Sequence, residues 1–281
     1  MLAASGMLPS YFAGAQTNRA TSSQIGHIER ATDILGRNIS GPQGQTIGKF
    51  QDLAADLESG RVLFAVVALQ GGGTAIGTSR VAVPPEEFSF GPDQSNLVLN
   101  ASQTNLDSAP RFNPQAGTRV GSVAFVRDVY RHFGRQPWWV GPSSSATSAS
   151  TNAFGNAHLA SQLRGQKVKT VSNQDLGTVR NLVVDLPAGR VLYVVFKPSG
   201  SLGANNTVYV LPPNAFTPGS DPTTLVTGVD EAKLRGAPHF SSTSWPDVAN
   251  PSYATQVYQY YGKQPYFNPN AQLSPTSDTN R

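Results

Sequence analysis

The chain contains no cysteine among its 281 residues, which excludes disulfides, thiolate nucleophiles, cysteine-ligated zinc and iron–sulfur clusters together. That absence does not fix a compartment. Charge is also sparse: Asp, Glu, Lys and Arg make up 14% of residues, and 21 basic against 17 acidic side chains leave a net charge of only +4. The excess is spread over both halves, so neither is a polybasic arm, and this argues against nucleic acid as a partner. No stretch approaches the roughly 20 apolar residues that a membrane-spanning helix needs. Glycine, at 27 residues, and proline, at 21, are plentiful; they favour turns over long helices and argue against a helical bundle. With 38% hydrophobic residues the chain still has material for a core. At about 100–200 residues per domain, length predicts two domains.

Residues 1–16 read MLAASGMLPSYFAGAQ, small and apolar without an acid, and Ala13-Gly14-Ala15 fits the small-x-small pattern of signal cleavage. The expectation is that residues 1–30 form a tail holding the remnant of an export signal, with Gln16 as the mature terminus and the protein periplasmic or secreted. The alternative is a disordered leader on a cytoplasmic protein.

The chain repeats itself at an offset of 129 residues. Gly36 falls on Gly165, Gly48 on Gly177, Asp56 on Asp185, Gly60-Arg61 on Gly189-Arg190 and Leu63 on Leu192. Beyond Gly71-Gly72-Gly73 the offset becomes 128: Phe88 falls on Phe216, Ala109-Pro110 on Ala237-Pro238, Val129-Tyr130 on Val257-Tyr258, and Gln136-Pro137 on Gln264-Pro265. Matches in one order broken by a single gap mean two tandem units, here 31–140 and 162–267. Residues 141–161 are rich in Ser, Ala and Thr without a charge and read as a flexible linker, and 268–281 as a disordered tail.

Within each unit, turn clusters such as Gly41-Pro42-Gln43-Gly44 separate short apolar runs, the signature of strands joined by hairpins. The alternation slips between Ile47 and Phe50, and again between Leu176 and Val179, which predicts a bulge near Gly48 and Gly177. Residues 62–69 and 191–196 are apolar on both faces, as strands buried on two sides are. Pro84-Pro85 and Pro212-Pro213 end strands and let Phe88 and Phe216 fold back over the core. Ser102 and Asp230 are placed to cap short helices.

These features resemble the PRC-barrel domain, a family named after the photosynthetic reaction-centre H subunit and present in a ribosome maturation factor. The resemblance rests on Leu35-Gly36-Arg37-Asn38-Ile39, Gly48-Lys49-Phe50-Gln51-Asp52-Leu53, Asp56, Gly60-Arg61-Val62 and Val81-Ala82-Val83-Pro84. It covers about sixty residues in each unit, near 31–90 and 161–217, and is clearer in the first. It implies a mainly β protein of two tandem small PRC-type barrels, each with a short helical C-terminal extension, joined by the linker. It also implies a bacterial protein.

No catalytic residue emerges. His27, His132, His158 and His239 share no ligand spacing, so no metal or other cofactor is expected. There is no Gly-x-Ser-x-Gly elbow, and Ser143-Ser144-Ser145 lies in the linker. Gly71-Gly72-Gly73-Thr74 has no Gly-Lys-Ser/Thr after it and reads as a loop. Asp56 and Asp185 precede turns closed by Gly60 and Gly189, where Asp binds local backbone and Gly supplies positive φ. Gly36, Gly48, Gly165 and Gly177 are read likewise as turn and barrel residues. For binding, Arg127 and Arg131 on a helix predicted over 123–134 and Arg135 just past its closing glycine recur every fourth residue, a stripe suited to an anion or acidic partner or simply a solvated face. Trp138-Trp139 and Tyr266-Phe267 read as an aromatic platform or as anchors onto their own unit.

The expected function is a non-enzymatic adaptor of the bacterial cell envelope that binds an unidentified protein or macromolecule. A cytoplasmic RNA- or ribosome-associated factor is the alternative that the ribosomal resemblance implies, and a photosynthetic membrane subunit would need a spanning helix that residues 1–30 do not supply. An enzyme would use a site between the units drawn from Asp128, His132, Asp185 and His239.

Overall fold

A computed structural model describes residues 26–70, 79–91, 96–113, 120–139 and 154–265. The signal-like segment 1–16, the Gly71-Gly72-Gly73 loop, Tyr266-Phe267, the tail 268–281 and most of the linker lie outside the described residues.

The chain is mainly β. The first half runs β1 (Ile28–Arg30), α1 (Ala31–Ile34), β2 (Asn38–Ser40), β3 (Thr46–Asp56), β4 (Arg61–Leu69), β5 (Arg80–Val83), β6 (Phe88–Phe90), β7 (Leu97–Leu99), α2 (Gln103–Asp107) and α3 (Val123–His132). The second runs β8 (Ala157–Leu159), α4 (Ala160–Leu163), β9 (Lys167–Thr170), β10 (Asp175–Asp185), β11 (Arg190–Pro198), β12 (Thr207–Leu211), β13 (Phe216–Pro218), β14 (Thr224–Thr227), α5 (Glu231–Arg235), β15 (His239–Ser241) and α6 (Pro251–Tyr260). The helix starts follow the expected caps: Ser102 accepts from the Asn105 N–H and Asp230 from the Lys233 N–H.

The fifteen strands among the described residues belong to one mixed sheet, whose main path is β13-β14-β9-β10-β11-β4-β3-β2-β7-β6. The pairings do not close it into a barrel, so the two tandem small PRC-type barrels expected from the sequence are not confirmed. The reason lies at the double-proline corners. Pro84 and Pro85 lead from β5 into a single 3-10 turn over Pro85–Glu87, and among the described residues β6 then pairs only with β7. Proline has no N–H to donate, so no ladder crosses the corner. Pro213–Ala215 repeats the device before β13.

The halves are interlocked by reciprocal strand exchange. β1 leaves its own half and pairs antiparallel with β10, Ile28 opposite Asp185 and Arg30 opposite Val183. β8 makes the mirror move onto β3, Ala157 opposite Asp56 and Leu159 opposite Ala54. Between them β4 meets β11 at Arg61 opposite Arg190, flanked by N–H to carbonyl bonds of 3.0 Å from Val62 to Gly189 and from Val191 to Gly60. A pseudo-two-fold axis therefore passes between the two arginines. Thus β1 lies within the stretch expected as a tail, and β8 within the stretch expected as a linker.

A polar latch locks each exchanged strand. The buried Asp52 carboxylate accepts from the backbone N–H of Ser161 at 3.2 Å and from its hydroxyl. At the equivalent place Asn181 accepts from the Thr32 N–H at 3.3 Å and donates to the Thr32 hydroxyl at 2.8 Å. One continuous core joins the halves, holding Ile34, Phe50 and Phe88 with Val179, Leu192 and Phe216. A smaller cluster of Phe64, Phe112, Val126, Val129 and Tyr130 takes in Leu159 from the other half. Burial of apolar surface is the largest stabilising contribution, and here it is shared across the two repeats.

The expected bulges are present. Register slips between Phe50 and Asp52 on β3, and between Val179 and Asn181 on β10, leaving Gln51 and Arg180 without a partner opposite. Gly48 and Gly177 lie next to these slips because nothing larger fits: a Cβ would come within 2.1 Å of the Ala68 carbonyl oxygen and 2.2 Å of that of Lys197.

Candidate functional site

A cluster of buried and half-buried polar groups lies on the pseudo-two-fold seam. The β3–β4 turn ends at Gly60 (φ +63°) and the β10–β11 turn at Gly189 (φ +62°), the left-handed region that favours glycine. Each turn packs against the proline corner of the other half, Gly60 against Pro213 and Gly189 against Pro85. Asp56 accepts from the Ser59 N–H at 2.9 Å, and Asp185 from the Ala188 N–H at 3.3 Å and the Gly26 N–H at 2.8 Å. Both aspartates thus organise turns, and Asp185 also holds the chain entering β1.

Arg61 enters the seam from β4. Burial first, and then the nearby Arg190 charge, lowers its pKa to about 10. Trp138 covers it, with the guanidinium carbon 4.6 Å from the ring centroid. Glu86 faces the same space; burial raises its pKa, opposed by the charges of Arg135 and Arg61. The Tyr130 hydroxyl lies 3.5 Å from Glu86 Oε1, and burial holds its pKa well above the ordinary value. Beside them Arg135 Nε donates to the buried Glu87 carboxylate at 2.6 Å, and this bond raises the Arg135 pKa.

The second half builds its side of the seam differently. Asn214 and Ala215 stand where Glu86 and Glu87 stand, and Lys263 replaces Arg135. Tyr258 donates instead to the Leu192 carbonyl at 2.9 Å. A cavity of about 190 Å³ opens there, lined by Ser59, Gly60, Arg190, Pro213, Tyr258 and Gln264 among others. The repeat is thus symmetric in backbone and asymmetric in charge.

The three arginines of the expected stripe have separate surroundings. Arg127 on α3 has its Nε buried without a hydrogen-bond partner, Arg131 forms an exposed ion pair with Asp128, and Arg135 lies past the helix end at Gly134 and pairs with Glu87. Trp138 and Trp139 pack on the smaller core cluster. Trp139 lies edge-on to Tyr130 at 5.9 Å and to Phe154 at 5.1 Å between centroids. Gly36 (φ +80°) and Gly165 (φ +91°) turn the chain ahead of β2 and β9.

The residues considered for an enzyme site do not converge. The ring nitrogens of His132 and His239 lie against the carbonyls of Asn105 and Ala237, Asp128 pairs with Arg131, and Asp185 holds its turn. Among the described residues no three His, Asp or Glu side chains are grouped to hold a metal. No described helix is long and apolar enough to cross a membrane.

Of the seam groups, Arg61 stands in the repeated Gly-Arg pair and Tyr130 coincides with Tyr258 in the repeat, while Glu86 and Glu87 carry no sequence motif. A second cluster that sequence reasoning misses, Arg30, Arg180, Lys197 and Trp245, lines a pocket on the second half.

Among known proteins, the PRC-barrel domain model matches residues 155–220. The match therefore falls on the second unit, where the sequence resemblance is weaker, and a second copy is not detected. No curated protein matches the chain.

Proposed function

We propose that this chain is a non-enzymatic binding module, an adaptor that holds a protein or other macromolecule in the bacterial cell envelope. On this reading its two repeats are tandem PRC-type units. The observation that carries the proposal is the match of residues 155–220 to the PRC-barrel domain, a general protein-interaction module, on a half that shares one sheet with its repeat. Function is argued from sites and not from fold alone, and here the paired turns and double-proline corners hold the two units in a fixed relation. A rigid platform binds with a smaller ordering cost than two units on a free tether. The asymmetric charges of the seam give the two sides different preferences.

The test is fractionation of the native host with N-terminal peptide mapping, followed by cross-linking of the intact protein in cells. The reading expects an envelope location with a chain starting near Gln16. It also expects one reproducible partner, whose cross-links map to one face and vanish on charge reversal there. A cytoplasmic chain that co-sediments with ribosomes supports the RNA-associated alternative. Turnover of a defined substrate by the purified protein overturns the adaptor reading.

A further inference from the structure

The pocket beside the β1 exchange has a composition that the fold does not require. It encloses about 210 Å³ and is lined by Arg30, Arg180, Lys197, Asn206, Ser242 and Trp245 among others. Arg30 comes from the exchanged strand of the first half and the rest from the second, so the interlock adds a cation to the pocket wall. Arg180 is the extra residue of the β10 bulge; a bulge re-aims a side chain, and this one is exposed at the pocket wall. The Arg30 guanidinium lies 5.1 Å from the Trp245 ring centroid. Its one carboxylate partner is the half-exposed Asp33, while Arg180 and Lys197 have neither an ion-pair nor a hydrogen-bond partner among the described residues. Three cations against one carboxylate leave the site about two positive charges in excess. At the symmetry-equivalent positions Leu159 stands for Arg30, Gln51 for Arg180 and Ala68 for Lys197, with Arg80 where Val208 lies. The equivalent strands β3 and β4 are thus built without this cluster.

We infer that this pocket binds the dianion of a phosphate monoester, its phosphoryl oxygens between Arg180, Lys197 and Arg30 and its organic part along Trp245. Two guanidinium forks offer paired N–H donors matched to phosphoryl oxygens, and Lys adds a compact charge. A dianion fits the excess of two, which a single carboxylate would leave half satisfied. The volume admits a small ester and not a folded polymer.

The test is calorimetric titration of the full-length protein at constant ionic strength with phenyl phosphate, and with benzoate as the singly charged aromatic control. The expected result is saturable one-to-one binding of phenyl phosphate, at least tenfold tighter than benzoate. The double variant Arg180→Gln/Lys197→Ala, which copies the residues of the first half at exposed and half-exposed positions, weakens it at least tenfold with an unchanged melting curve. Trp245→Leu weakens phenyl phosphate more than inorganic phosphate. Co-sedimentation with phosphatidylcholine vesicles carrying phosphatidic acid separates the sources: sedimentation lost in the double variant names a lipid headgroup, and none names a soluble ester. Absence of saturable binding, equal affinity for benzoate, or unchanged affinity in the double variant overturns the proposal. The adaptor reading is separable, because its cross-linked partner would persist in the double variant.

Discussion

Replacing Asp52 probes the exchange of strands directly, because its partner Ser161 lies 109 residues away in the other repeat. The carboxylate is 7% exposed and accepts from the Leu53 N–H at 2.9 Å, the Ser161 N–H at 3.2 Å and the Ser161 hydroxyl. At about 1 kcal/mol net for each bond, Asp52→Ala forfeits about 3 kcal/mol. Relief of the desolvated charge, whose burial raises the Asp52 pKa, returns part of this, so the expected loss is about 2 kcal/mol. Ser161→Ala removes the hydroxyl alone and costs about 1 kcal/mol. Asp52→Asn places in the first latch the residue that Asn181 supplies in the second, and costs less than about 1 kcal/mol. Urea denaturation of the four corners of the Asp52→Ala/Ser161→Ala cycle gives a coupling energy, expected at about 1 kcal/mol. Additive effects of the two substitutions, or an Asp52→Ala midpoint equal to wild type, refute the reciprocal latch.

Three further outcomes follow from the same geometry. Arg135→Ala leaves the buried Glu87 carboxylate without its partner and costs about 1–3 kcal/mol, whereas Arg131→Ala breaks only an exposed pair with Asp128 and falls within about 0.5 kcal/mol; thermal melts of both variants check the contrast. Glu86 has a folded pKa above its unfolded value, so its contribution to stability is fully present below that unfolded value of 4.5 and is lost as pH rises through the raised value. Glu86→Gln therefore gains on wild type as pH rises above 4.5, read from urea midpoints across pH, and a difference that shrinks or stays flat contradicts the assignment. Gly177→Ala places a Cβ 2.2 Å from the Lys197 carbonyl oxygen at φ +147° and costs on the order of 2–4 kcal/mol, whereas Gly44→Ala, with open space around it, costs about 1 kcal/mol; chemical denaturation distinguishes them.

Much of the local structure is legible in the residues themselves. The caps at Ser102 and Asp230, the Asp-to-Gly turns at Asp56 and Asp185 and the slip beside Gly177 each have a short-range physical cause that a sequence displays. Strand exchange has none. Ile28-Glu29-Arg30 pairs as well with either half by propensity, and the latch at Asn181, the Gly26 N–H bond to Asp185 and the continuous core decide which sheet takes it. The double prolines mark the corners, but that they leave the sheet open depends on pairings across loops. The arginine spacing on α3 is visible as a period, while the buried Glu87 that claims Arg135 is set by a proline corner 48 residues earlier. The pocket at Arg180 is hidden for a related reason. The broken alternation locates the bulge, yet which neighbours meet Arg180 is decided by β1 from the other repeat.

Native-state hydrogen exchange in rising urea shows whether the exchanged strands make the two repeats one cooperative body. If they do, the protected amides of β4 and β11 open together, with the same free energy and the same dependence on urea. A set of amides confined to β10, β11 and β12 that opens at lower free energy, while β3 and β4 stay protected, would contradict it.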